Sequence, residues 1–136
     1  MKKFIIILLM LFSGNIVAQK VPYNVVFDVT SADTVVHQMV IRWINEITKT
    51  DPNANIEVVY YGKSLGMINK DKSVVASDVA KFAGAKNVTF SVCEVAMKNN
   101  NIEKDQLIAG VKTVPDGIYE IVKRQSEGWG YIKASR

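Results

Sequence analysis

The chain has 136 residues, of which 49% are hydrophobic, 9% aromatic and 22% charged. That length holds one core rather than two, and a chain this apolar offsets its ordering entropy by burial, which excludes disorder as the main state. The formal charge of +4 suggests a nucleic-acid partner at first sight.

Residues 1–18 change that reading. Lys2 and Lys3 form a short positive region, and Phe4 to Phe12 is an unbroken apolar run of nine residues, too short to span a bilayer. Ile16 and Ala18 precede a cleavage point before Gln19, although Ile16 is larger than the residue usually found there. The expected organisation is a signal peptide over 1–18 and a single domain over 19–136. The mature protein is then exported, either periplasmic or secreted. Loss of the leader removes two lysines and no acids, leaving +2, which withdraws the nucleic-acid argument. No second long apolar stretch follows, so no stable membrane insertion is expected after the leader is removed.

The rest of the chain alternates between strand and helix patterns. Tyr23 to Val29 is a β-branched run and reads as a buried strand. Thr30-Ser31-Ala32-Asp33 resembles a capping box, and Val36, Met39, Val40, Trp43, Ile44 and Ile47 then recur at helical spacing. Asp51-Pro52 ends that helix. Ile56 to Tyr61 reads as the second strand, closed by Gly62. Ser64 to Asn69 suggests a short helix, and Lys72 to Ala83 a longer one that Gly84 stops. Asn87 to Val92 reads as the third strand, with Cys93 at its end and a short helix over Glu94 to Asn99. A short strand is expected around Val111 to Val114, then a helix with Pro115 in its first turn. Trp129 to Lys133 reads as the last strand. Near-continuous apolar strands imply that both sheet faces are covered. The expected fold is α/β, a three-layer α/β/α sandwich with a mostly parallel sheet of about five strands.

In such sheets, chemistry gathers beyond the C-terminal strand ends. Three loops qualify: Thr30 to Asp33, Gly62 to Gly66, and the turn at Cys93. Gly62-Lys63-Ser64-Leu65-Gly66 matches the nucleophile-elbow pattern. A serine hydrolase of that kind needs a histidine after the serine, and His37, the only histidine, precedes it. Ser64 therefore reads as a turn residue, and His37 as a surface or partly packed side chain. Asp28, Asp33 and Asp78 show no metal-ligand spacing, and there is neither a P-loop nor a dinucleotide fingerprint. No cofactor and no metal are expected. Cys93, the single cysteine, excludes an intramolecular disulfide. Its place between strand and helix favours a thiolate, against local repulsion from Glu94. A buried, inert cysteine is the alternative. Trp129 or Tyr131, if exposed near an edge, would anchor a subunit contact.

Four segments together carry a resemblance to a known family. They are Cys93-Glu94-Val95-Ala96-Met97, then the Leu107 to Val114 stretch, then Val114-Pro115-Asp116-Gly117-Ile118-Tyr119-Glu120-Ile121-Val122-Lys123-Arg124-Gln125, then Glu127-Gly128-Trp129-Gly130-Tyr131-Ile132. Over residues 23 to 133 the chain resembles the DsrE/DsrF-like superfamily, and most of all its small stand-alone members. The resemblance implies an α/β/α fold assembled as a homo-oligomer, a trimer or hexamer. It also implies that Cys93 is a persulfide acceptor, served by a sulfur donor or acceptor protein. Export departs from the cytoplasmic setting of sulfur-relay members. The two readings are thus a sulfur-carrier or thiol-handling protein using Cys93, and a non-catalytic oligomeric binding protein whose cysteine is structural.

Overall fold

Three β-branched runs supply the centre of the sheet: strands β1 (Asn24–Val29), β2 (Asn55–Tyr60) and β3 (Val88–Cys93). The computed structural model describes residues 21–136; the expected leader and its cleavage point lie outside the described residues. Helix α1 (Thr34–Thr50) joins β1 to β2, and α2 (Ala76–Ala83) precedes β3. Helix α3 (Glu94–Asn99) leads to the short strand β4 (Lys112–Val114). Helix α4 (Gly117–Ser126) carries the chain back across the sheet to β5 (Gly130–Ala134). The order is β4-β3-β2-β1-β5, and every pairing is parallel. The fold is the expected α/β sandwich.

The two outer layers are unequal. Strand side chains alternate between faces. Val25, Phe27 and Val29 of β1, with Val58, Tyr60, Phe90 and Val92, pack under α1, α2 and α3 in the main core. Among the described residues the other face meets only α4, where Val26 and Val59 pack against Ile121, with Tyr61 and Trp129 alongside. That face also carries Asp28, Glu57 and Ser91, all buried. Both faces are covered as expected, but this one is not continuously apolar. Buried charge persists there because it is paired. The Arg124 guanidinium of α4 binds the Glu57 carboxylate and stacks 4.8 Å over the Trp129 ring, while Ser91 donates to Glu57 at 2.5 Å.

Two element boundaries also differ from expectation, for local reasons. The helix expected from Lys72 begins only at Ala76. The Asn69 carbonyl accepts from the Lys72 and Ser73 backbone, and its side chain accepts from Asp71 N–H, so this stretch closes into turns instead. Pro115 stands ahead of its helix rather than in the first turn. Asp116 takes the cap, accepting from the Ile118 and Tyr119 N–H groups, and α4 starts at Gly117.

Candidate functional site around Cys93

Parallel register sets which residues stand side by side at the C-terminal end of the sheet. Val29 pairs with Tyr60, and Tyr60 with Val92. One position further, Thr30, Tyr61 and Cys93 form a row on the face that α4 covers. Cys93 ends β3 in an extended conformation and is 6% exposed. Above this row lies the first turn of α4. A Cβ added to Gly117 would stand 3.1 Å from the Cys93 Cβ, 3.2 Å from Val59 Cγ1 and 3.6 Å from Tyr61 Cδ1. The absent side chain is what lets helix and cysteine approach so closely.

Beside that contact is a polar cluster. The buried Asp28 carboxylate accepts from the Tyr131 hydroxyl at 2.6 Å and from the Lys133 ammonium at 3.1 and 3.2 Å. Lys133 also donates to the Thr30 hydroxyl at 3.1 Å and stands 5.7 Å from the Tyr61 ring centre. Burial, the Asp28 carboxylate, and the nearby Tyr131 and Cys93 together push the Tyr61 phenol up to about 12. The hydrogen bond to Asp28, then burial, does the same for Tyr131, also to about 12. At neutral pH the cluster therefore offers two protonated phenols and an ammonium whose charge Asp28 balances.

The neighbour expected to oppose a thiolate is turned elsewhere. Glu94 accepts from the Thr113 hydroxyl at 2.7 Å and faces Lys104 at 3.4 Å. Those two contacts hold its carboxyl below the usual range. Of the other sequence candidates, Ser64 is fully buried and its hydroxyl donates to the Val29 and Tyr61 carbonyls at 2.7 and 2.9 Å. It ties two strand ends together and serves no triad. His37 is buried rather than at the surface, and its Nε2 bonds the Ser31 carbonyl at 2.8 Å, bracing the loop after β1. Asp33 caps α1 and pairs with Arg136 at 2.7 Å. Trp129 is half-buried beneath Arg124, so it is a packing residue and not an exposed anchor.

Sequence reasoning missed the Asp28, Tyr131 and Lys133 cluster. Its only local signal was an aspartate inside an otherwise apolar strand. A concavity of about 760 Å³ lies between α1 and α2 on the opposite face. Its rim mixes Arg42, Glu46, Lys49, Asp78 and Lys81, and its lining includes neither Cys93 nor His37.

The fold has known counterparts. The family model described as the DsrE/DsrF-like family matches residues 26–134. Among solved structures, a protein of unknown function from Methanobacterium thermoautotrophicum is 31% identical, with a TM-score of 0.76 over 82% of this chain and 98% of that one. The ychN protein from E. coli is 12% identical, with a TM-score of 0.67 over 83% and 99% of the two chains. A conserved protein of unknown function from Bacteroides thetaiotaomicron is 13% identical, with a TM-score of 0.62 over 82% and 94%. These last two likenesses concern the fold alone. A search of curated proteins finds no match. With the model spanning β1 to β5, the chain belongs to the DsrE/DsrF-like family.

Proposed function

We propose that this protein is a sulfur carrier in which Cys93 accepts sulfane sulfur as a persulfide. Membership of a family associated with sulfur relay supports the general chemistry. The observation that carries the assignment to this residue is the convergence of Cys93, Tyr61 and Gly117 at the C-terminal end of the sheet. In the transfer, the Cys93 thiolate attacks the terminal sulfur of a donor persulfide. The new Cys93 S–S bond forms as the donor's S–S bond breaks, and the donor sulfur leaves as a thiolate. The reverse sequence hands the sulfur to an acceptor. Tyr61, which keeps its proton well above neutrality and lies near Cys93, supports this reading as a neutral phenol beside anionic sulfur.

The burial of Cys93 favours a second reading, a non-catalytic oligomeric protein with a structural cysteine. One experiment separates them. The folded protein is incubated with polysulfide and its intact mass is measured. The carrier reading expects one added sulfur that reductant removes and that Cys93→Ser abolishes. A native Cys93 that takes up no sulfur and resists alkylation gives the structural reading.

Two further proposals concern setting. The pattern of residues 1–18 supports export to the periplasm or beyond, and N-terminal sequencing of exported protein is its test. The exposed Ile118, Tyr119 and Val122 of α4 support self-association, with a trimer or hexamer expected. A monomeric mass by light scattering at micromolar concentration overturns it.

A further inference from the structure

Asp28 and Lys133 are opposed in the β1–β5 ladder and form an ion pair whose two ends differ in their access to water. The Asp28 side chain is 5% exposed and the Lys133 side chain 41%. The pair is neutral in sum, yet its positive end is turned outward. That end is also fixed in place. Lys133 Nζ donates to both Asp28 oxygens at 3.1 and 3.2 Å and to the Thr30 hydroxyl at 3.1 Å, while Tyr131 donates to the same carboxylate at 2.6 Å.

Thr30 stands in the row that ends at Cys93. Neighbouring strands lie about 4.8 Å apart, which puts Thr30 about 10 Å from Cys93, with Tyr61 between them. Other charges at this end of the sheet leave the ammonium unopposed. Glu94 is held by Thr113 and Lys104, and Asp33 by Arg136. The Asp116 carboxylate accepts from the Ile118 and Tyr119 N–H groups. Lys63 is exposed and adds a second cation, with its backbone N–H bonded to the Thr30 carbonyl at 3.1 Å. Cys93 itself is 6% exposed, so a small molecule reaches it more readily than the cysteine of another folded protein.

We propose that Lys133 makes the Cys93 site selective for small anions, so that sulfur arrives there as inorganic polysulfide. The inference rests on the sulfur-carrier reading above and names its substrate class. The Cys93 thiolate attacks the terminal sulfur of a polysulfide dianion. A Cys93 S–S bond forms as the outer S–S bond of the polysulfide breaks, and the shortened dianion leaves with the electron pair. A thiolate and a dianion repel each other, and a fixed cation beside their path offsets that repulsion. Lys133 is therefore a positioning residue: it places charge and does not touch the reacting sulfur.

The test compares alkylation of Cys93 by iodoacetate and by iodoacetamide in the full chain at one pH. The two reagents attack the same thiolate and differ by one negative charge. Changes in thiolate fraction or in the opening of α4 therefore cancel in the ratio of their rates. Lys133→Gln is expected to lower the iodoacetate-to-iodoacetamide ratio by roughly two- to fourfold, the effect of one unit charge about 10 Å away in mostly solvated surroundings. Lys133→Arg is expected to keep the ratio, and Asp28→Asn to raise it. Lys133→Gln and Asp28→Asn break the same ion pair, so a merely structural role would move the ratio the same way in both. Added salt should shrink the differences. A ratio unchanged in Lys133→Gln, or shifted in one direction by both variants, overturns the inference. Polysulfide uptake, read by intact mass on the same preparations, separates the two levels. Uptake by the parent with an unchanged ratio removes the role of Lys133 and leaves the carrier reading standing. A parent that takes up no sulfur overturns the carrier reading and this inference with it.

Discussion

Asp28 shows how one side chain organises several others. It is buried, yet its two oxygens hold a phenol and an ammonium from β5. Tyr61 and Tyr131 both keep their protons to about 12, against an ordinary value of 10.0. A folded pKa raised in this way favours the fold fully below the unfolded value and loses that contribution as pH rises through the folded one. Thermal stability is therefore expected to stay level up to about pH 10 and to fall between there and about 12. Asp28→Asn is expected to shrink that fall and to bring the Tyr131 absorbance titration back towards the ordinary phenol range. A titration unchanged in the variant defeats this account. Ser64 makes a contrasting case, because its hydroxyl only ties carbonyls together. Ser64→Ala is expected to cost about 1–3 kcal/mol in urea unfolding, since it strands buried acceptors. Sulfur uptake by Cys93 should be unaffected. At this scale the sequence revealed a cysteine at a strand end. It hid the Asp28 partners, because they lie more than a hundred residues away and meet only once β5 is laid beside β1.

Helix α4 is held to the sheet by two different means. One is the Glu57–Arg124 pair, in which the Glu57 side chain is 2% exposed and Arg124 25%. The two partners differ in their freedom to rejoin water. Glu57→Gln leaves an arginine that can turn outward to Glu127, with which it already pairs at 3.0 Å. Arg124→Ala leaves a carboxylate sealed in the sheet, for which a loss of roughly 3–5 kcal/mol is expected. Urea unfolding of the two variants should show Arg124→Ala as clearly the worse, and equal losses would contradict the pairing argument. The other means is the close approach at Gly117. A glycine inside a helix costs about 1 kcal/mol relative to alanine. Gly117→Ala would ordinarily stabilise, but here the new methyl meets a strand Cβ that cannot rotate away. A net loss of stability is expected, together with a changed rate of Cys93 alkylation. The close approach that calls for Gly117 shows only in the folded chain, whereas the helix was legible from local pattern. The start of α4 was not, since Asp116 outcompetes Pro115 for the boundary through two hydrogen bonds that only the folded turn provides. The late start of α2 has the same kind of cause at Asn69.

For the whole molecule, the alternation of apolar runs made the α/β class legible, because parallel strands need a crossover between each pair. It did not reveal that, among the described residues, three helices share one face and a single helix covers the other. That imbalance follows from strand order, which places β5 beyond β1 and sends α4 alone across the back. It also bears on how Cys93 becomes reachable. The main core joins α1, α2 and α3 to the sheet through many large apolar residues, whereas α4 contributes mainly Ile121 and its ion pair. Local opening draws on the regions with the fewest buried apolar contacts. Helix α4 is therefore expected to exchange its amide hydrogens faster than α1, at a free energy below that of global unfolding. The first turn of α4 rests on the Cys93 Cβ, while Cys93 also belongs to the main core, so opening that layer is expected to expose one side of the residue while β1, β2 and β3 remain paired. Alkylation of Cys93 should then depend only weakly on urea at low concentration, since little surface is exposed in the reactive state. Arg124→Ala should accelerate alkylation more than it destabilises the whole fold. A Cys93 alkylation rate that follows urea with the full slope of global unfolding would mean that α4 leaves only when the sheet does, and that a partner reaching Cys93 must find another way in.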